Sequence, residues 1–124
     1  MSPRFDPASV TELQRAGVLA GLPGETLARL AERMRRAEHP AGTVLVREGD
    51  RDDRFYVLLS GVAAVSQSDL GARRVLRPGE VFGEVAATMG IPRTATVTAV
   101  TPCVVASCDR KTFDELVRPL YADG

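Results

Sequence analysis

The chain has little with which to build a metal centre. It carries one histidine, His39, and two cysteines, Cys103 and Cys108. An imidazole-rich metal site is therefore excluded, and the cysteines lack the CxxC spacing of zinc and redox motifs. Five residues apart on a strand, they point to opposite faces. That argues against a disulfide between them. They read as reduced core or strand residues in a reducing compartment. Charge of one sign is lacking too. Lys+Arg and Asp+Glu both number 16, so the net charge is zero. Without a global field to draw nucleic acid or an anionic membrane, any anion site must be local. No apolar run reaches the roughly 18 residues of a membrane-spanning helix. The N-terminus MSPRFDPASV lacks the apolar core of a signal peptide. A cytoplasmic location is expected, or the cytoplasmic side of a membrane protein if the chain is a fragment. Lysine is nearly missing, with Lys111 alone among the basic residues. That bias points to a GC-rich bacterial genome.

What is present fits one globular domain. The 124 residues are 44% hydrophobic and 26% charged, near the average for folded domains of this size. Residues 1–10 hold two prolines and read as a loose lead-in. Leu13, Val18 and Leu19 mark a short amphipathic piece before Gly21. In GLPGETLARLAERMRR, Leu27, Leu30, Ala31 and Met34 recur at helical spacing and form one apolar stripe. Pro23 suits a first helical turn, and Glu25 suits the helix dipole. This helix must end before Pro40. From there glycine recurs at 42, 49, 61, 71, 79 and 83. Short strand-like runs lie between: 43–46, 55–60, 62–66, 73–76, 81–82, 94–100 and 103–107. Such spacing predicts an antiparallel sandwich or barrel closed in Greek-key or jelly-roll fashion. The last segment, DRKTFDELVRPL, returns to helix. Asp109 is its N-cap, Phe113, Leu116 and Val117 its apolar face, and Pro119 ends or kinks it.

One segment breaks the strand rhythm. Residues 82–97 read FGEVAATMGIPRTATV, and Glu84–Met89 is too rich in alanine and methionine for a strand. The pattern predicts a short helix interrupting the β-roll. Gly83 before it lets a ligand approach the backbone closely. The first amides of a helix are unpaired donors at the positive end of its dipole, a cradle for an anion. Pro92 rigidifies the return and presents Arg93, whose planar fork suits phosphate oxygens. Glu84, acceptor-only when ionised, suits a sugar hydroxyl. Composition alone leaves a plainer alternative open: a solvated loop with a surface ion pair between Glu84 and Arg93.

The segment resembles the phosphate-binding cassette of cyclic nucleotide-binding domains, F-G-E-(aliphatic)-A-x-x-x-x-x-P-R-(Thr/Ala/Ser)-A. Phe82, Gly83, Glu84, Ala86, Pro92, Arg93, Thr94 and Ala95 match it. PAGTVLVREGDRDDRFYVLLSGVAAV upstream is similar to the family's leading β-roll, and LAGLPGETLARLAERM to its helical lead-in. The chain thus looks like bacterial cAMP receptor-type and protein-kinase regulatory-subunit domains. The resemblance implies a mainly β fold with flanking helices. It would be an antiparallel eight-stranded jelly roll (a double-stranded β-helix) with N-terminal helices, a short cassette helix and a C-terminal helix. The domain is expected over 11–118, with 119–124 a tail in which the family's lid helix is absent or truncated. Glu84 would accept from the ribose 2′-hydroxyl, and Arg93 would pair the cyclic phosphate. Amides around Gly83, Val85, Ala86 and Thr94 would complete the cradle, with Phe82 and Ala95 in the ligand-binding set. Threonine at Thr94 is often linked in the family to cGMP through guanine, yet many bacterial members with Thr or Ser there look like cAMP receptors. cAMP is expected over cGMP. The implied role is a regulatory sensor, not an enzyme, needing no cofactor and no metal. It would pass the signal through the C-terminal helix to an effector domain in the same or another chain. Where the family usually has a bulky aliphatic pair after the cassette alanine, this chain has Ala87-Thr88. That pair is expected to loosen the short helix or widen the pocket. It supports an alternative, a degenerate β-roll used for protein interaction or assembly.

Other segments read more plainly. The run 47–54, REGDRDDR, lacks the alternating acids and terminal glutamate of a calcium loop and reads as a solvated hairpin loop. Arg33, Arg35 and Arg36 read as a solvated helix end, and His39 as an exposed turn residue. Ser60-Gly61 has no base partner for nucleophilic catalysis. No helix-turn-helix follows residue 118, so a DNA-binding receptor is not expected in this chain, nor any nucleic-acid partner.

Overall fold

A computed structural model describes residues 7–121. Two short helices open the chain, α1 (Val10–Gln14) and α2 (Gly24–Arg33), with a 3-10 turn at Leu19–Gly21 between them. Ser9 closes a capping box on α1. Its hydroxyl accepts from the Glu12 amide, and Glu12 Oε1 accepts from the Ser9 amide. Of the expected lead-in, residues 1–6 lie outside the described residues. Pro7 is bridged to Arg35.

Eight strands follow: β1 (Arg35–His39), β2 (Val44–Val46), β3 (Phe55–Ser60), β4 (Ala63–Gln67), β5 (Gly71–Leu76), β6 (Val81–Phe82), β7 (Thr96–Ala99) and β8 (Cys103–Cys108). They form two four-stranded sheets, ordered β1-β8-β3-β6 and β2-β7-β4-β5, with every pairing antiparallel. This is the antiparallel β-roll with flanking helices implied by the resemblance. Helix α3 (Glu84–Met89) interrupts the roll between β6 and β7. Past β8, α4 (Arg110–Thr112) runs into a wide π-turn at Phe113–Val117 and a 3-10 turn at Arg118–Leu120. Asp109 caps α4 by accepting from the Thr112 amide at 2.9 Å.

One strand departs from the sequence pattern. The sequence places Arg33, Arg35 and Arg36 at a solvated helix end and His39 in an exposed turn, yet Arg35–His39 forms β1, paired along its length with β8. Arg36 bonds Glu12 at 3.2 Å, and His39 is half-buried in the strand. The run RRAEH has no apolar alternation to reveal it. It lies at a sheet edge, where charged residues discourage pairing with other chains.

Two cores divide the apolar side chains. One lies between the helices and the first sheet and includes Leu13, Leu30, Met34, Phe55, Val57, Phe113 and Val117. The other lies between the sheets and includes Val46, Leu58, Leu76, Phe82, Val97 and Val105. Strict alternation sends β3 and β8 to both. Phe55, Val57, Ala106 and Cys108 face the helices, while Leu58, Cys103 and Val105 face the other sheet. The two cysteines are free, buried and on opposite faces, as their spacing predicts. Burial pushes the Cys108 thiol up to about 12.

Candidate functional site

Arg93 sits at the centre of the candidate site, and the loop between β2 and β3 supplies most of its partners. Its main chain is bound first. The Arg93 amide donates to the Asp50 carbonyl at 2.8 Å, and its carbonyl accepts from the Gly49 amide at 2.9 Å. The side chain is then turned inward, with only 3% of its surface exposed. Nη2 donates to Asp52 Oδ2 at 3.0 Å and to the Arg54 carbonyl at 2.8 Å. Nη1 lies 3.4 Å from the Gly83 carbonyl. The guanidinium also stands 5.6 Å over the Tyr56 ring, which stacks on Phe82 at 4.8 Å. A guanidinium has five donor protons. These contacts use the two of Nη2 and weakly engage one of Nη1. Nε has no partner although it is buried. A buried cation with an unpaired donor is a site for an acceptor.

The loop is itself braced. The Arg54 amide donates to Asp52 Oδ1 at 3.1 Å, and the Tyr56 hydroxyl to Asp52 Oδ2 at 3.3 Å. The Arg54 guanidinium reaches Ser107 on β8, donating to Oγ at 3.1 Å and to the carbonyl at 3.2 Å. Burial pushes the Asp52 carboxyl up. The Arg54 amide and the Arg93 guanidinium outweigh it and hold the carboxyl below its ordinary value. The same burial, with Asp52 beside it, raises the Tyr56 hydroxyl.

Gly83 joins this cluster to α3. Its φ is +87°, the left-handed region that glycine tolerates. A Cβ there would stand 2.6 Å from the Arg54 carbonyl and 2.7 Å from Arg93 Nη1. Only glycine allows that approach. The Gly83 carbonyl accepts from the Ala87 amide, starting α3, and no side chain caps the helix's first amides. Glu84 follows with Oε2 buried and unpartnered. Thr94 is exposed, and its carbonyl accepts from Gln67 Nε2 at 2.9 Å.

The eight residues singled out in the sequence all line one pocket. Phe82, Gly83, Glu84, Val85, Ala86, Arg93, Thr94 and Ala95 surround a space of about 470 Å³, mouth included. Val46, Val65, Arg74 and Val97 complete its wall. Arg74, on β5, and the brace of Asp52 and Arg54 are site residues that the sequence reading missed. No local motif marks Arg74, and the acids and arginines of 47–54 read there as a solvated loop. Two expectations are corrected. Glu84 and Arg93 do not form a surface ion pair, because Arg93 is buried and pairs with Asp52. Ala87 does not widen the pocket, because it is fully buried in the helix-side core. Among the described residues, no group of histidine, cysteine and acidic side chains is placed to hold a metal ion. None of the described helices is long and apolar enough to cross a membrane.

Comparison with known proteins gives the site its context. Residues 36–119 match the family described as cyclic nucleotide-binding domain. The cAMP-dependent protein kinase regulatory subunit of Eremothecium gossypii is 35% identical over 108 residues, covering 87% of this chain and 24% of that protein. The corresponding subunit of Dictyostelium discoideum is 33% identical over 117 residues, 87% of this chain and 35% of that protein. The chain thus spans a third or less of most of the curated relatives it matches. Among solved structures, the regulatory domain of Toxoplasma gondii PKA with cAMP superposes with a TM-score of 0.81 at 30% identity, covering 89% of this chain and 43% of that one. A cAMP-bound PfPKA-R structure gives 0.85 at 28%, covering 90% and 39%. The bacterial origin suggested by the arginine bias gains no support from these curated relatives, which are eukaryotic.

Proposed function

The chain belongs to the cyclic nucleotide-binding domain family, and from that premise we propose that its pocket binds cAMP in preference to cGMP. Arg93 pairs the cyclic phosphate through its free donors, and Glu84 accepts from the ribose 2′-hydroxyl through its unpartnered oxygen. Amides at Gly83, Val85, Ala86 and Thr94 complete the phosphate cradle, while Phe82 and Ala95 line it. The observation that carries this reading is that two residues lining one pocket each hold a buried, unpartnered atom, a donor on Arg93 and an acceptor on Glu84. A cyclic phosphate on a ribose offers the matching acceptor and donor. The preference for cAMP rests on relatives named cAMP-dependent and on neighbours solved with cAMP.

The unit formed by residues 11–118 acts as a regulatory module rather than an enzyme. Its relatives are named regulatory subunits. It works in the cytoplasm and signals through the C-terminal segment to an effector domain in the same or another chain.

Calorimetric titration with cAMP and cGMP tests the reading. Saturable binding is expected, tighter for cAMP. Arg93→Ala weakens it at least about tenfold, as expected when a hydrogen bond to a charged group is lost. Unchanged binding in Arg93→Ala overturns the phosphate role. If millimolar amounts of both nucleotides cause neither heat nor a thermal shift, the module is an assembly domain instead.

A further inference from the structure

The cassette helix is held at its other end by the C-terminal segment. Helix α3 has only six residues, and a helix so short does not persist by its own propensity. Its carbonyl end is capped from outside. Arg118 Nη2 donates to the Ala87 carbonyl and Nη1 to the Thr88 carbonyl, each at 3.2 Å. Nε of the same arginine donates to Asp114 at 2.8 Å, and the guanidinium lies 5.7 Å over the Phe113 ring. The wide turn sets this aim. The Arg118 amide bonds the Phe113 carbonyl five residues back, so Arg118 is offset from the face it would occupy in an α-helix. Pro119, with no amide proton, follows at once.

A cation at a helix C-terminus and an anion at its N-terminus stabilise the same helical state. Given the phosphate reading above, both partners act on α3. We propose that Arg118 is a positioning residue that couples pocket and tail. It holds α3 in the nucleotide-binding form, and bound nucleotide in turn holds residues 110–121 against the cassette. Such coupling is reciprocal by linkage.

Hydrogen exchange and calorimetry on the wild type, Arg118→Gln, Arg118→Lys and Asp114→Asn test this. Without nucleotide, Arg118→Gln speeds exchange of the Ala87 and Gly90 amides, which close α3. With cAMP, the wild-type amides of 113–121 slow, and in Arg118→Gln that slowing is lost. Affinity falls about tenfold, within the usual range of allosteric coupling. Lysine keeps the charge without the fork, so Arg118→Lys gives a smaller loss. Asp114→Asn shifts exchange in the same sense and serves if Arg118→Gln does not fold. Unchanged α3 exchange without nucleotide, or tail slowing and affinity that survive in a folded Arg118→Gln, overturns the proposal. If the wild type binds no nucleotide, the reading of the pocket fails, and the nucleotide-free exchange still decides the capping role.

Discussion

The cassette is gripped from two sides, and the grips differ in kind. On the loop side, Arg93 is bound through its main chain as well as its side chain, to Gly49, Asp50, Asp52 and Arg54, and is sealed from solvent. On the tail side, a half-buried arginine touches the last carbonyls of α3. The outer face of α3 stays open, with Met89 66% exposed. Arg93, proposed above to pair the phosphate, is thus tied at both main chain and side chain to the β2–β3 loop. The helix beside it takes its outside partner from the tail, through one partly exposed arginine. Adjacent stretches of one sixteen-residue segment, 82–97, are thus held by different parts of the chain, one by the roll and one by the tail.

The largest expected break removes the base of the tail grip. Phe113 is fully buried and packs on Phe55 at 5.2 Å. Phe113→Ala costs about 3–5 kcal/mol, as for other buried aromatics. It also takes away the ring under Arg118. Chemical denaturation measures the loss. If the two grips are separable, a folded Phe113→Ala protein keeps its Arg93 contacts and still shows weakened cAMP binding.

Gly83→Ala strikes the junction of the two grips. The new Cβ meets the Arg54 carbonyl and Arg93 in a backbone conformation that costs an L-residue about 1–2 kcal/mol. Overpacking adds about 1–3 kcal/mol. Stability and nucleotide affinity should fall together. A variant that keeps both would mean that the loop grip is softer than its geometry indicates.

Asp52→Asn is milder. It removes the carboxylate from Arg93 but leaves the Arg54 and Gly83 carbonyls. About a tenfold loss of affinity is expected, on the scale of a charge-assisted bond. The pH dependence sharpens it. Asp52 is held below its ordinary value of 3.8. The stability from its pairing is complete above that value and is lost as pH falls through the lower, folded one. The gap in stability between wild type and Asp52→Asn therefore closes only on the acid side. A gap that stays constant down to pH 2 would remove the ion pair from the account.

The same contrast explains what the sequence reveals. The cassette is legible because its parts are adjacent. Gly83, Glu84, Pro92 and Arg93 lie within eleven residues, and each has a local reason for its type. The β-roll is legible from glycine spacing and apolar runs. Asp52 and Arg54 are not, because an acid in a polar loop has the same local pattern whether it faces water or a buried arginine. Only the return of Arg93 beneath that loop decides the matter. Strand β1 escapes for a related reason, since its charged residues are chosen for an edge and carry no period. Ala87 misleads in the opposite direction. Its small side chain suggests looseness, yet the core closes over it completely.

The origin of the Arg93 partners has a consequence in time. The partners that set its pose come from the protein itself, so that pose calls on no ligand. On the reading proposed for Arg93, a cyclic phosphate would meet a partner already in place, and association would be set by encounter. Differences between related ligands then fall on how long each stays. On that reading the module would register a rise in concentration promptly and clock the fall by its rate of release.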